Sequence, residues 1–265
     1  MTISTTRIEG ADIRFEPAPD ALKPFTGCFW TVTAECGATI RSVPDGTASV
    51  GVEVTPGRPA EWRLRGPLLR PAERRFAAPT LLVGVRLRPG VACLLAGIPA
   101  HAIVDRTIDL RDDPAWRALT SIDRVAEPAE YIDALRRCLI VRLGGATLHP
   151  IVTAALGHIG AKGGGVSVEE VAARCGVTAR HLHRLMRRWV GYGPKRYASV
   201  VRFQSTLGQM QQAPAQPAAA LASNVGYFDQ AHLTAHLGRF AGATPRGLRS
   251  RVVSDFSKTR CDELP

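Results

Sequence analysis

The stretch HLHRLMRRWVGYGP at residues 181–194 returns in altered form as HLTAHLGRFAGATP at residues 232–245. A His-Leu pair, an Arg, a Gly and a Pro occupy the same places in both, each displaced by 51 residues. An Ala that precedes a Gly by four residues also occurs upstream of each copy, as Ala172 and Gly176 and again as Ala222 and Gly226. Two copies are too few for a solenoid, so the repeat predicts a tandem of two small helical units.

Each copy has the sequence features of a helix-turn-helix. In the first, Ser167 followed three residues later by Glu170 is a capping box that marks a helix start. Gly176 suits the left-handed conformation that ends a helix, and Thr178 can cap the next one. That second helix has one apolar face, formed by Leu182, Leu185, Met186 and Trp189. Two helices joined by a short Gly-containing turn form the arrangement whose second helix enters the DNA major groove.

The polar face of this second helix is strongly basic. It carries Arg180, His183, Arg184 and Arg187. Arg can bond two acceptors of one guanine, and further basic groups suit phosphates. A merely solvated amphipathic helix is the alternative, and the repeat favours the DNA-reading interpretation.

Residues 150–250 resemble the DNA-binding domain of the AraC/XylS family of bacterial transcription regulators. The resemblance is carried by residues 170–185 and 193–197 in the first unit, and by residues 226–233 and 242–245 in the second. It implies seven helices, with one long helix at about Pro194–Gln212 linking the two units. It also implies that recognition helices at about 179–190 and 229–240 enter successive major-groove segments, about 34 Å apart.

Carried over by position, the base-reading residues that the resemblance implies are Arg180, His183 and Arg184. In the second unit the matching positions are Gln230, Ala231 and Ala235, where the family commonly has longer polar side chains. Gln230 can still read adenine, so we expect the first unit to dominate sequence discrimination. Seven further residues are candidate phosphate contacts: Thr178, Arg187, Arg188, Lys195, Arg196, Arg239 and Arg246.

The distribution of charge fits a nucleic-acid partner. The formal net charge is +11, and 14 of the 34 Lys and Arg residues but only 6 of the 23 acidic residues lie between Val166 and Pro265. The excess is therefore concentrated in the repeat half, as phosphate binding requires. The N-terminus lacks the order of a signal peptide and no stretch is apolar enough for a membrane span, so the sequence predicts a cytoplasmic protein without a membrane partner.

The first part of the chain is strand-like. Short β-branched or alternating segments at residues 27–33, 39–43, 48–54 and 80–87 are separated by turn residues such as those at 44–46. Short helices are predicted at 91–96 and 114–120, and a longer amphipathic one at 128–143. Residues 144–145 and 160–165 are Gly-rich and predicted to be flexible joints, with a helix at 149–159 between them.

This part also resembles an uncharacterised domain found ahead of some AraC-type domains. The resemblance is carried by Phe29-Trp30 and by residues 43–46, 83–90 and 105–106. It implies a domain that senses an effector or mediates dimerisation, and we place a candidate effector pocket near Trp30, Trp62 and Arg86. Double-stranded DNA is the expected partner. RNA polymerase, a small-molecule effector and a second copy of the chain remain open.

Together these features predict an α+β chain of several parts. We expect an antiparallel β-rich regulatory domain at 1–112, a helical connector at 113–147, an AraC-type DNA-binding domain at 148–252 and a tail at 253–265. No catalytic residue, metal or cofactor is expected. His232 and His236 have the spacing of a zinc pair, but no third ligand lies nearby in sequence, so a structural role is favoured.

Two other functions remain as alternatives. Some AraC-type domains are fused to a DNA-repair alkyl acceptor, which needs a cluster of zinc-activated cysteines. Cys28 and Cys36 are too few and too widely spaced for that cluster, and Cys93 is distant. A non-specific architectural DNA binder is disfavoured because the charges lie on structured helices and not in a tail.

Overall fold

A computed structural model describes residues 4–8, 10–122 and 127–251. Most of its first part is a seven-stranded antiparallel sheet of order β1-β2-β3-β8-β5-β6-β9, and β4 pairs with β7 in a separate two-stranded sheet. The strands are β1 (Ser4–Ile8), β2 (Ala11–Pro17), β3 (Thr26–Ala34), β4 (Thr39–Ser42), β5 (Ala48–Val54), β6 (Glu61–Arg65), β7 (Ala72–Arg75), β8 (Thr80–Leu87) and β9 (Thr107–Asp109). The antiparallel β-rich prediction is confirmed.

One face of the seven-stranded sheet packs against helices. Alternate residues of the central strands, such as Val50 and Val85, point to this face and are fully buried, as the two-residue period of a strand requires. They meet Tyr131, Leu135 and Leu139 of the long helix α3. The helices of this part are α1 (Ala92–Ala96), α2 (Arg117–Thr120) and α3 (Pro128–Leu143). The helix predicted to be a connector therefore belongs to the core of the sheet domain, which we define as β1 to α3.

The second face of the sheet carries a smaller core and is partly covered by the β4–β7 sheet. Trp30 of β3 is 8% exposed and lies over the paired glycines Gly51 and Gly84 of β5 and β8. A Cβ atom at Gly84 would lie 2.4 Å from Trp30 Cζ2. Glycine at this point therefore lets the indole lie against the sheet.

Residues 150–251 of the described chain are all-helical. The seven helices in this range are α4 (Pro150–Ala161), α5 (Val168–Arg174), α6 (Ala179–Val190), α7 (Pro194–Gln212), α8 (Ala218–Asn224), α9 (Gln230–Ala241) and α10 (Pro245–Arg251). The expected seven-helix arrangement and the long linking helix, α7, are confirmed. One hydrophobic core joins both helix-turn-helix units through α7, where Phe203 stacks on Phe240 of α9 at 5.3 Å between ring centroids. We call α4 to α10 the helical domain.

The Gly-rich segment at residues 160–165 is a packed turn and not the flexible joint that its composition suggests. Gly164 has a φ of +77°, and a Cβ atom there would lie 2.1 Å from the carbonyl oxygen of Ala198 in α7. Arg202 of α7 also donates a hydrogen bond to the Gly164 carbonyl at 3.0 Å. Glycine is needed here because α7 passes against the turn.

None of the helices in the described ranges combines the length and apolar composition that crossing a bilayer demands. The predicted tail at residues 253–265 lies outside those ranges.

Candidate nucleic-acid interface

The first helix-turn-helix consists of α5 and α6, and side chains cap both helices. The Ser167 side chain accepts a hydrogen bond from the Glu170 backbone N–H, and the Thr178 side chain accepts one from the His181 N–H at 3.2 Å. Both caps satisfy N–H groups that a helix start leaves without partners. Between them Gly176 has a φ of +66°, so the turn forms at the residue that the sequence indicated.

Helix α6 separates an apolar face from a basic one. Leu182, Met186 and Val190, four residues apart, are buried in the core of the helical domain. The opposite face is exposed and carries Arg180, His183, Arg184, Arg187 and Arg188. The structure thus brings the three candidate base-reading residues of the first unit onto one accessible surface.

Two of these side chains have neighbours that hold them in position. Arg184 Nη2 lies 3.0 Å from His181 Nδ1, one turn earlier on α6. The ring of His183 lies against Gly193, where a Cβ atom would be 2.4 Å from His183 Cδ2. The absence of a side chain at residue 193 therefore lets His183 rest on the turn before α7.

The second helix-turn-helix consists of α8 and α9 and is poorer in polar groups. The Asp229 side chain caps α9 by accepting a hydrogen bond from the His232 N–H at 2.7 Å. Gln230, Ala231 and Ala235 are exposed on α9, as the resemblance implied for base-facing positions. Phe228, 94% exposed just before the cap, was not singled out from the sequence because an isolated aromatic residue in a turn has no periodic signal.

His232 and His236 take part in aromatic and polar packing. The Tyr227 hydroxyl lies 2.8 Å from His236 Nδ1 and 3.1 Å from the Thr206 hydroxyl, and the His232 ring packs edge-on against Tyr227. Burial lowers the pKa of His236 to about 4, with a smaller contribution from the positive charge of Arg202. Within the described ranges no three His, Cys, Asp or Glu side chains are placed to hold a metal ion.

The candidate phosphate contacts fall into two groups. Thr178, Arg187, Lys195, Arg239 and Arg246 are exposed. Arg188 is exposed but close enough to α1 of the sheet domain for its charge to act on Cys93. Arg196 differs from all of these because it is partly buried. Its guanidinium donates to the Leu69 carbonyl at 2.8 Å and lies 4.6 Å from the centre of the Phe240 ring.

The sheet domain docks onto the C-terminal end of α6 and onto α7. At the turn after α6, a Cβ atom at Gly191 would lie 2.6 Å from Val104. Gln204 of α7 donates to the Pro44 carbonyl at 2.7 Å. Three apolar residues of the sheet domain also join the helical core: Val43, Leu69 and Val104. These contacts come from loops at residues 43–47, 66–69 and 104–106, and the 3-10 turn at residues 100–102 and helix α1 also lie against α6.

A cavity of about 490 Å³ opens between the second face of the large sheet and the β4–β7 sheet. Trp30 and Arg86, two of the three residues predicted to form an effector pocket, line it. Trp62 does not, because it lies on the opposite face of the sheet. There it is fully buried, packs edge-on against Tyr131, and donates to the Ile122 carbonyl at 3.4 Å. Alternation along β6 separates Trp62 from the cavity.

The free thiols of the described residues belong to Cys36, Cys93, Cys138 and Cys175, and they form no cluster of the kind that an alkyl acceptor needs. Cys36 is exposed and donates to the Ala77 carbonyl at 3.3 Å. Cys93 is partly buried, and burial raises the pKa of its thiol to about 11, which disfavours the reactive thiolate. Nothing in this geometry favours the alkyl-acceptor alternative.

Two helix-turn-helix units on one linking helix, each with its second helix accessible, define a DNA-binding protein of the helix-turn-helix class. Comparison with known families agrees. Residues 171–251 match the model of a helix-turn-helix domain, and residues 13–109 match a domain of unknown function, DUF6597. The matched helix-turn-helix domain is of the AraC type and follows a region similar to DUF6597, which supports a DNA-binding transcription regulator. The comparison with curated proteins gives no match.

Among solved structures, similar chains include ToxT from Vibrio cholerae. The apo form of a lysine-to-alanine variant of ToxT from strain SCE256 is 8% identical, with a TM-score of 0.43 over 89% of this chain and 100% of that chain. ToxT from Vibrio cholerae O395 is 6% identical, with a TM-score of 0.43 over 87% of this chain and 98% of that chain.

Proposed function

We propose that this protein is a sequence-specific, cytoplasmic transcription regulator whose helices α6 and α9 enter successive major-groove segments of its operator. The observation that carries the proposal is the pair of helices with exposed polar faces on a shared linking helix. Arg180, His183 and Arg184 read bases from α6, and Gln230 reads an adenine from α9. The exposed methyl groups of Ala231 and Ala235 suit contact with thymine methyl groups.

The exposed cations around these helices bind the DNA backbone. Arg187 and Lys195 flank the first unit, and Arg239 and Arg246 flank the second. Each phosphate that is neutralised releases counterions, so affinity falls steeply as salt concentration rises. Arg196 is left out of this set because its guanidinium is occupied by Leu69 and Phe240.

The sheet domain modulates DNA binding through its contacts with the first unit. Its loops touch the turn after α6 at Gly191 and the first half of α7 at Arg196 and Gln204. Because α7 sets the relative placement of the two recognition helices, a change in these contacts alters how well both helices fit the DNA at once. This supports a regulatory role for the sheet domain.

Selection of genomic DNA fragments by the purified full-length protein at physiological salt tests the proposal. Enrichment of a bipartite motif, with two short elements about one helical turn apart, is the expected result. The double variant R180A/R184A should lose the motif, whereas R58A, at an exposed turn of the sheet domain, should retain it. Uniform recovery of DNA would indicate a non-specific architectural binder, and no recovery at low salt would refute DNA binding altogether.

A further inference from the structure

The cavity of the sheet domain contains more positive than negative side chains. Five arginines line it, namely Arg63, Arg65, Arg74, Arg86 and Arg106. Three acidic residues line it, namely Asp45, Glu73 and Asp105. Each of the three carboxylates already accepts hydrogen bonds within the protein: Asp45 from Thr47, Glu73 from Arg41, and Asp105 from the Leu69 N–H. They are therefore poorly placed to bind a cationic ligand.

Two of the arginines are under-neutralised. The nearest carboxylate oxygen to Arg65, on Glu53, is 3.9 Å away, and Glu53 forms a two-bond pair with Arg74. In the described part of the chain the Arg106 guanidinium has neither an ion pair nor a hydrogen bond. Arg65 of β6 pairs with Thr107 of β9, and Arg106 is the residue just before Thr107 in the sequence. Arg106 is therefore next to the residue that faces Arg65. Arg65 is partly buried and Arg106 is exposed, so the two guanidinium groups are accessible at the edge of the cavity and can donate paired hydrogen bonds to an anion.

Part of the remaining lining is apolar. Trp30, Ile40 and Phe76 form one side of the cavity, opposite the arginines of β6. A volume of about 490 Å³ is in the range that proteins use for organic ligands of moderate size. We propose that this cavity binds an amphipathic organic anion, with its acid group on Arg65 and Arg106 and its apolar body against Trp30 and Phe76.

The cavity is connected to the helical domain through one loop of the sheet domain. The effect of this connection on DNA binding rests on the proposed regulatory function. The loop at residues 43–47 lines the cavity on one side and packs on α7 on the other. Within it, Asp45 forms a loose ion pair with Arg86, 3.8 Å from Nε to Oδ2. The Tyr192 hydroxyl, beside the same loop at Gly46, is buried and has no hydrogen-bond partner among the described residues.

These contacts define a relay. Arg65 and Arg86 both pair with Ser49 of β5, so an anion held by Arg65 and Arg106 also attracts Arg86 away from Asp45. The released carboxylate then accepts a hydrogen bond from the Tyr192 hydroxyl. The sheet domain then holds the turn between α6 and α7 more tightly. A buried hydroxyl without a partner is unfavourable, so the rearrangement is favoured once Arg86 is occupied. By linkage, the Tyr192 hydroxyl then contributes to ligand affinity although Tyr192 does not line the cavity.

Titration calorimetry of the full-length protein tests the site without DNA. The probe is 8-anilinonaphthalene-1-sulfonate, an aromatic anion, and its uncharged control is N-phenyl-1-naphthylamine. We expect one probe per chain, and a loss of affinity of about tenfold or more for the anion in R65Q/R106Q with little change for the neutral compound. The matched control is R58Q, which removes an exposed arginine away from the cavity. Circular dichroism verifies that each variant is folded.

The outcomes separate the parts of the proposal. If R65Q/R106Q binds the anion as R58Q does, the anion site is refuted while the DNA-binding proposal stands. Y192F should lose about fivefold in affinity for the anion, which corresponds to the contribution of one hydrogen bond. This loss supports the relay, and an unchanged affinity refutes it. Failure of DNA selection, by contrast, leaves both calorimetric results intact and refutes only the regulatory function.

Discussion

Lys195 and Arg196 are consecutive cations at the start of α7, yet their side chains have different surroundings. Lys195 is exposed, whereas Arg196 bonds the Leu69 carbonyl and lies over Phe240. We predict that K195A reduces the slope of log affinity against log salt by about one and leaves stability unchanged. R196A should lower the free energy of unfolding by about 2 kcal/mol, because a charged hydrogen bond and a cation–π contact are lost. Denaturant titration of both variants checks this, and equal stabilities would contradict it.

Arg184 and Gln230 occupy matching faces of the two recognition helices. Arg can form two bonds to guanine, and Gln230 is the only long polar side chain among the three base-facing positions of α9. We predict that R184A weakens binding to the selected operator by about 2 kcal/mol and reduces discrimination against random DNA. Q230A should have the smaller effect in the same competition assay. Operator binding that survives R184A but not Q230A would reverse this ranking.

His236 gives the second unit a dependence on pH. Its pKa in the folded protein is about 4, against 6.5 for an ordinary histidine. Between these values the unfolded chain takes up a proton that the folded chain does not. Stability is therefore full above about pH 6.5 and falls as the pH drops towards 4, by up to about 3 kcal/mol. We predict that H236Q flattens this decline in melting curves measured from pH 7 to 4, whereas H101Q, at an exposed histidine, does not.

At the scale of elements, two glycines of one region should respond in opposite ways to alanine. Gly164 lies in the turn against α7, with a positive φ and no room for a Cβ atom. We predict that G164A lowers the free energy of unfolding by about 3 kcal/mol. Gly157 lies within α4, where an added methyl group would meet nothing within 4 Å, so G157A should raise it by about 0.5–1 kcal/mol. Chemical denaturation of both variants measures the difference, and a tolerated G164A would show that the turn can move away from α7.

The helical elements were predictable because their signals are local. Capping residues, the Gly of the turn and the apolar period lie within a few residues of each other, and the helix predicted at Pro194–Gln212 has those bounds in the structure. The sheet was predictable only as a set of strands. That β5 lies between β8 and β6 depends on contacts between distant residues, which no local pattern contains. Likewise, nothing local in α3 shows that it packs on the sheet instead of connecting two domains.

The candidate site was predictable to a similar extent. The exposed face of α6 follows from its period, so Arg180, His183 and Arg184 could be placed together from the sequence. The burial of Arg196 could not be foreseen, because its partners Leu69 and Phe240 come from distant parts of the chain. Trp62 was placed in the pocket by analogy with effector-sensing domains, and the strand register puts it on the other face of the sheet.

At the scale of the whole molecule, docking of the sheet domain depends on few polar contacts. Gln204 donates to the Pro44 carbonyl in the centre of this interface. We predict that Q204A speeds hydrogen exchange in the backbone at 43–47 and 66–69 by about fivefold, because one partly buried hydrogen bond is lost. The control Q211A, at an exposed position near the end of the same helix, should leave exchange unchanged. Equal exchange in both variants would show that the Gln204 hydrogen bond contributes little to docking.

The positions of the four tryptophans also make them useful as intrinsic fluorescence probes. Trp62 and Trp116 are fully buried in the sheet domain, Trp30 lies in the cavity wall on its two glycines, and Trp189 lies on α6 with its ring against His149. A compound that enters the cavity meets Trp30 alone among them, whereas Trp189 alone among them belongs to the helix that we propose enters the DNA. Replacing one or the other with phenylalanine separates their emission, so occupancy of the two regions can be followed in one unlabelled sample.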